Sequence, residues 1–393
     1  MTQKGVNMKK DNNLKRLKKR KVLLSALSVV LVTILAVSLA FMGVGLSRQS
    51  KLEKIDFSAL NGLASRTIMF IGDGMGENHI KNTEAYYGEQ TFMRSLGVDG
   101  FVSTFSNNVG LPTDSAAAGS ALATGKKFNN GEVARHGGKN VQSIAEYAKQ
   151  RGMGVGIVTT DSLSGATPAS FSSHANNRGD TSAIIEGQIN DYVDLYLGAG
   201  KDTYQKYKTR FENKGFTFAT SFDEVDAGFS GDKLIMSFSS LEASDGTANT
   251  PTLEMCTKFA LKFMEERFAD KGYFLMIEGA HIDKKSHKND IVPMVEYLRN
   301  FDASIKCARE FLDGKDCAII VTADHETGGL KYKEGATKDD VTNKLYTSPT
   351  HTKRDVKYFI YVSRLGTTEL KNIIPKNIDN TDVNRIAHAL ITA

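Results

Sequence analysis

Several short apolar runs, each closing abruptly on acids, histidines and glycines, constrain this chain more than any other feature. Thr67-Ile68-Met69-Phe70-Ile71 closes on Gly72, and Val155 to Thr159, Tyr273 to Ile277, Ala318 to Thr322 and Tyr358 to Val362 repeat the theme. Between them lie helical patterns at Val141 to Gln150, Leu253 to Phe268 and Met294 to Leu312. Apolar strands of four to six residues alternating with helices predict an α/β fold. Its central sheet should be doubly wound and mostly parallel, with helices on both faces. The polar clusters IGDGMG (71–76), VTTDS (158–162), IEGAHIDKKSH (277–287) and VTADHETGG (321–329) follow four of these runs. Ligands bind at the carboxyl ends of strands in open α/β sheets, so the four clusters predict one shared site.

The N-terminus follows different rules. Residues 1–21 carry nine Lys and Arg against Asp11 alone, a net of +8, whereas the whole chain carries +5. The remainder is therefore near −3, which argues against a basic nucleic-acid-binding body and marks the first segment as a cytoplasmic flank. Val22 to Leu46 is an uncharged apolar run long enough to cross a bilayer as a helix. With the basic side inside, the body is expected outside the cytoplasm on a single-pass anchor. A cleaved signal sequence is the alternative, with Ser38-Leu39-Ala40 as its small-x-small site, and would make the body secreted. The expected organisation is a basic tail (1–21), an anchor or signal sequence (22–46), a tether (47–64) and a catalytic domain (65–393). The three cysteines, Cys256, Cys307 and Cys317, leave one disulfide or buried free thiols equally open.

Within the clusters, Asp73 stands in G-D-G-M-G, where glycines permit a tight turn and close approach. Asp283 and His287 are four residues apart, one face of a helix, a spacing that serves a surface ion pair as well as a divalent metal. Glu278 lies at the preceding strand end, Asp324 and His325 follow Thr322, and His351 stands in PTHT before the next strand. Three of the eight histidines thus sit beside strand ends rich in acids. Imidazole with carboxylate suits zinc, and oxygens alone suit a harder ion such as Mg2+. In LPTDSAAAGSALATG (111–125), Asp114 is a candidate N-cap, so that Ser115 begins a helix whose amides favour an anion.

Taken in order, IGDGMG, TDSAAAGSALATG, ATPASFSSHANNR, EGAHIDKKSH, TADHETGG and HT resemble the alkaline phosphatase family, from about Arg66 to His351. NTDVNRIAHAL is similar to that family's terminal helix. The resemblance implies hydrolysis of phosphate monoesters through a phosphoserine on Ser115, with two Zn2+ and one Mg2+. It implies that Asp283, His287 and His351 hold the first zinc, and Asp73, Asp324 and His325 the second. Asp73 would also bridge to magnesium, completed by Thr167 and Glu278, and Arg178 would fork two N–H groups onto phosphate oxygens. A homodimer is a further, weaker implication.

One position departs from the family pattern. Gly165, two before Thr167, stands where family members commonly carry an Asp or His that supports the magnesium shell. Ser164 or Asp161 could substitute through a water, and the third site is expected to be weaker or differently occupied. Lys284 matches a lysine of some bacterial members that approaches phosphate through water. The short stretch from Lys331 to Pro349 leaves little room for a large cap, so an accessible pocket is expected. No cysteine lies near position 115 to suggest a sulfatase. A phosphodiesterase or phosphotransferase of the same superfamily, or a degenerate phosphate-binding protein, are the rival readings.

Overall fold

The computed structural model describes residues 19–21, 28, 30–33, 55–189, 192–225, 229 and 231–392. The chain divides into two units, Met1–Ile55 and Asp56–Ala393. In the first, the described residues 19–21, 28 and 30–33 are helical, with Val30, Leu31 and Val32 each more than half exposed. The rest of the expected anchor, 22–46, lies outside the described residues, as do 47–54 of the expected tether. Among the described residues no helix is long and apolar enough to cross a membrane.

The second unit starts earlier than residue 65, the boundary read from the sequence. Phe57, Leu60 and Ala64 are buried, and the amides of Gly62 and Ala64 donate to the carbonyls of Ala389 and Leu390. Residues 56–64 thus pack partly onto this unit, with Asp56, Ser58, Ala59 and Asn61 left exposed.

Among the described residues ten strands form one sheet: β1 (Arg66–Ile71), β2 (Val98–Ser103), β3 (Gly154–Ser162), β4 (Leu195–Ala199), β5 (Thr217–Ala219), β6 (Leu234–Phe238), β7 (Tyr273–Glu278), β8 (Cys317–Thr322), β9 (Val356–Val362) and β10 (Asn377–Asp379). Their order is β10-β2-β9-β8-β1-β7-β3-β4-β6-β5. All pairings are parallel except those of β9, which is antiparallel to both β8 and β2. The helices that matter for the site are α1 (Glu77–Tyr87), α2 (Ser115–Thr124), α3 (Ala166–Ser172), α4 (Leu253–Phe268), α5 (His281–His287), α6 (Ile291–Phe311) and α7 (Asn380–Ile391).

Both faces of the sheet are covered, as its fully buried strands require. Phe70 of β1 meets Phe301 of α6 with ring centroids 5.9 Å apart. Phe274 of β7 stacks on Phe171 of α3 at 6.2 Å. Phe274 pairs in register with Thr67. Thr67 and Phe70 are three residues apart on β1 and so point to opposite faces. Thus α3 and α6 lie on opposite sides of the sheet. Cys256 and Cys317 are buried, and all three cysteines are free thiols.

The register puts the strand ends level. Ile71 pairs with both Thr322 and Glu278, and Glu278 pairs with Thr159. The residues just beyond β1, β8, β7 and β3 therefore meet above the same edge. On one side α2 nests against α3, because Gly119 offers no side chain: a Cβ there would stand 3.3 Å from Thr167 Cα. Gly119→Val is expected to push the two helices apart and cost about 1–3 kcal/mol. Chemical denaturation of the variant against the parent checks this.

Candidate active site

Each cluster is delivered by a turn that the local sequence dictates. Asp73 lies two residues beyond the end of β1, and Gly74 then takes a left-handed φ of 71°. A Cβ on Gly74 would stand 2.9 Å from Asp283 Cα, so both conformation and space demand glycine. The freed Gly74 amide donates to Asp324 Oδ1 at 3.1 Å, tying the ends of β1 and β8 together. Asp283 and His287 share a face of α5, as their spacing predicted, and His351 arrives on a ribbon that pairs Glu326–Thr327 with His351–Thr352.

Two donor sets result. In the first, His287 Nε2 lies 3.1 Å from His351 Nε2 and 3.3 Å from Asp283 Oδ2. His351 Nε2 is 3.7 Å from Asp283 Oδ1. In the second, His325 Nε2 lies 3.5 Å from Asp73 Oδ1 and 3.3 Å from Asp324 Oδ2. The His325 and His351 rings stack with centroids 3.6 Å apart, so the sets adjoin. Donor atoms of Asp283, His325 and His351 also fall within 4.8 Å of one another, which puts His325 between both sets.

The tautomers follow from the partners of the other ring nitrogens. His287 Nδ1 lies 2.6 Å from the Pro349 carbonyl and His351 Nδ1 2.9 Å from the Thr113 carbonyl. A carbonyl can only accept, so both Nδ1 atoms carry hydrogen. Thr327 donates its hydroxyl to Asp283 Oδ1, leaving its oxygen to accept from His325 Nδ1 at 3.3 Å. In their neutral forms all three histidines therefore direct Nε2 lone pairs inward, the arrangement in which imidazoles bind metal; without a cation, His287 takes a proton at Nε2 and donates it to Asp283. Two such lone pairs 3.1 Å apart repel unless a proton or a metal ion lies with them. In the second set, Asp73 Oδ1 and Asp324 Oδ2 are buried with no hydrogen-bond partner. The donors present fit two cations.

Charge tells the same story. Burial, reinforced by Asp324, Asp283 and Glu278, pushes the Asp73 carboxyl far above its ordinary range. Burial and the charge of Asp161 push Glu278 up to about 8, against the hydrogen bond from Thr159 and the nearby Thr167 hydroxyl. Burial and Asp283 push Asp324 up to about 7, against amide hydrogen bonds. Asp283 goes the other way: burial would raise it, but its hydrogen bond with His287 and the charges of His325 and His287 hold it below the usual carboxylate range. His287 is correspondingly raised by that hydrogen bond. Burial holds His325 well below, and His351 below, the ordinary histidine value.

Ser115 begins α2, as expected, with Asp114 as N-cap accepting the Ala117 amide at 2.9 Å. Its Oγ lies 3.1 Å from His325 Nε2, the edge of the second donor set. Arg178 is exposed and donates to Asp114 Oδ2 at 3.3 Å, which moors it to the start of the same helix. Thr167 Oγ1 is buried without a hydrogen bond of ordinary geometry, close enough to Glu278 to lower its pKa. Lys284 pairs with Asp161. Other supports carried no readable signal. Thr159 donates to Glu278, and a buried chain links the Gly76 amide to His79 Nδ1, His79 Nε2 to Ser286 Oγ, and Ser286 to Tyr346, beneath α5. Tyr346 belongs to the stretch 331–349, which thus braces the site from below.

Two pH effects follow. A carboxyl whose folded pKa is raised contributes stability that is present below its unfolded value near 4 and lost as pH rises through the folded value. With Asp324 at about 7 and Glu278 at about 8, chelated protein should lose thermal stability between about pH 6.5 and about pH 8, above the range in which the depressed His325 and His351 oppose the carboxyls. A bound cation favours the ionised forms, so the gain in Tm from added zinc should be larger at about pH 9 than at about pH 5. Melts with and without chelator at both pH values measure this. Metal uptake should also release protons, seen by calorimetry in buffers of different ionisation enthalpy.

Comparison with known proteins places this chain in a family. The family model described as alkaline phosphatase matches residues 64–215 and 232–389. Alkaline phosphatase 4 of Bacillus subtilis (strain 168) is 31% identical over 287 residues, which take in 67% of this chain and 61% of that protein. The chain thus spans about three fifths of that relative's length. Alkaline phosphatase from the Antarctic bacterium TAB5 superposes with a TM-score of 0.71 at 25% identity, covering 84% of this chain and 98% of that one. A histidine-to-glutamate variant of the TAB5 enzyme, described with Mg bound in its M3 site, superposes at 0.69 with 25% identity, 84% of this chain and 98% of that one. With the family model spanning most of the second unit, this chain belongs to the alkaline phosphatase family.

Proposed function

We propose that the protein hydrolyses phosphate monoesters by way of a phosphoserine on Ser115. The observation that carries this reading is the Ser115 hydroxyl at the N-terminus of α2, 3.1 Å from His325 Nε2, at the edge of two adjoining sets of imidazole and carboxylate donors. Asp283, His287 and His351 would hold one Zn2+, and Asp73, Asp324 and His325 a second. Asp73 would share a Mg2+ with Glu278 and Thr167, whose oxygen donors suit a hard ion. When bound, the two zinc ions would supply the positive charge that ionises a serine hydroxyl and stabilises a leaving oxygen.

The residues' own work follows from their placement. Ser115 Oγ releases its proton to solvent and forms a bond to phosphorus as the ester P–O bond breaks, and the departing alkoxide takes a proton from solvent. A water oxygen then attacks phosphorus and gives up a proton to solvent, the P–Oγ bond breaks, Oγ regains a proton, and inorganic phosphate leaves. The amides of the first turn of α2 face the anion and offset its charge. Arg178, moored through Asp114, orients the non-reacting phosphate oxygens. His325 resembles the base of a triad in reaching Ser115, but burial depresses its affinity for a proton, which favours ionisation by positive charge over proton abstraction.

The run 22–46 is proposed to anchor the body outside the cytoplasm, supported by its apolar length and the cations before it. Protease digestion of intact against lysed cells tests that placement. A homodimer rests on the family resemblance alone, and sedimentation of the detergent-solubilised chain tests it.

Metal-loaded protein is expected to hydrolyse a chromogenic aryl phosphate at alkaline pH and to lose that activity with chelator. Ser115→Ala should lower the rate on the order of a thousandfold or more while keeping its metals. Acid quenching should trap phosphate on Ser115, read by mass spectrometry. Undiminished turnover by Ser115→Ala would rule the reading out. Arg178→Ala should weaken inhibition by inorganic phosphate by about 1.5–3 kcal/mol, roughly ten- to a hundredfold in Ki.

A further inference from the structure

Gly165 is the N-cap of α3, with φ −56° and ψ 157°, a backbone that any residue adopts. Its missing side chain is therefore not required by the turn. Asp161, from the end of β3, occupies the space instead. A Cβ on Gly165 would stand 2.9 Å from Asp161 Oδ2 and 3.0 Å from the Ser162 carbonyl oxygen. Asp161 Oδ1 accepts the Ser162 amide at 2.6 Å and the Lys284 ammonium. Both hydrogen bonds fall on Oδ1, which leaves Oδ2 on the Gly165 side. The Asp161 amide donates to Thr159 Oγ1 at 2.9 Å, and that hydroxyl donates on to Glu278. Beside Glu278, Thr167 Oγ1 is 1% exposed at the residue level and has no hydrogen bond to occupy it.

We propose that Asp161 Oδ2 takes the place of the side chain that residue 165 lacks, as an oxygen donor to a hard divalent cation beside Glu278 and Thr167. The proposal rests on the third-cation reading above and says which residue completes it. It turns the gap at Gly165 from a lost ligand into a relocated one, four residues upstream on the preceding strand end. Lys284 fixes the carboxylate by its other oxygen, so its ammonium is committed to Asp161. With Asp73, Glu278, Thr167 and Asp161 the donors are all oxygen, which selects Mg2+ over Zn2+.

The test is calorimetric titration of Mg2+ into zinc-loaded full-length protein, with zinc content measured alongside. Asp161→Ala should weaken magnesium binding roughly ten- to a hundredfold and leave two zinc ions per chain. Asp161→Asn, which keeps the shape of the side chain, should show the same direction of change. Adding Gly165→Asp to Asp161→Ala should restore affinity to within severalfold, because removal of the Asp161 carboxylate clears the space a residue-165 side chain needs. Wild-type affinity in Asp161→Ala overturns the assignment, as does a double variant as weak as the single one. A zinc-loaded parent that takes up no magnesium overturns the third site itself, a distinct failure.

Discussion

Four carboxylates, Asp73, Glu278, Asp283 and Asp324, are buried together at one edge of the sheet, each no more than 7% exposed. The nearby basic side chains, Arg178 and Lys284, are both exposed and already paired with Asp114 and Asp161. Such a cluster is costly unless cations join it, because desolvated like charges suppress one another's ionisation. Much of the architecture maintains this concentration. Level registration of β1, β7 and β8 delivers it, and the left-handed turn at Gly74 lets α5 close over it. Backbone carbonyls of Pro349 and Thr113 turn two imidazoles so that their lone pairs face the same space.

Ser115, the proposed nucleophile, is positioned by a different part of the chain. α2 carries Ser115 at its first position, and small residues along that helix let it settle against α3, which carries Thr167. Asn384 of α7 donates to the Leu122 carbonyl at 3.1 Å, tying the far end of α2 to the terminal helix. Residues distant in sequence thus hold one serine within hydrogen-bond reach of His325. This division, carboxylate and imidazole donors from strand ends and α5 and a serine from a helix terminus, joins the fold to the proposed chemistry.

The legible parts of the sequence were those with short-range signatures. Buried strands reveal themselves by unbroken apolar runs, and the Asp283–His287 spacing fixes a helix face. The strands Val98–Ser103 and Asn377–Asp379 were less visible: the first contains Asp99 and Gly100, and the second is only three residues at the sheet edge. The body's start at Asp56 was hidden because Phe57 and Leu60 are isolated apolar residues, and the amides that tie this segment down, of Gly62 and Ala64, bond to carbonyls over three hundred positions away. The orientation of the histidines depends on carbonyls and on Thr327, contacts that no local pattern encodes. His79, Ser286 and Tyr346 read as ordinary residues until the fold brings them together. Gly165 is the sharpest case, since its meaning depends on where Asp161 points.

The central claim is that these side chains form sites for two zinc ions and a third cation over Ser115. Element-resolved analysis of purified, metal-loaded protein tests it most directly, alongside the double variant His287→Ala, His351→Ala. The account predicts two zinc ions and one magnesium per chain in the parent, and the loss of one zinc in the double variant with the other retained. A parent that retains no zinc after loading, or a double variant that keeps both ions, would contradict it.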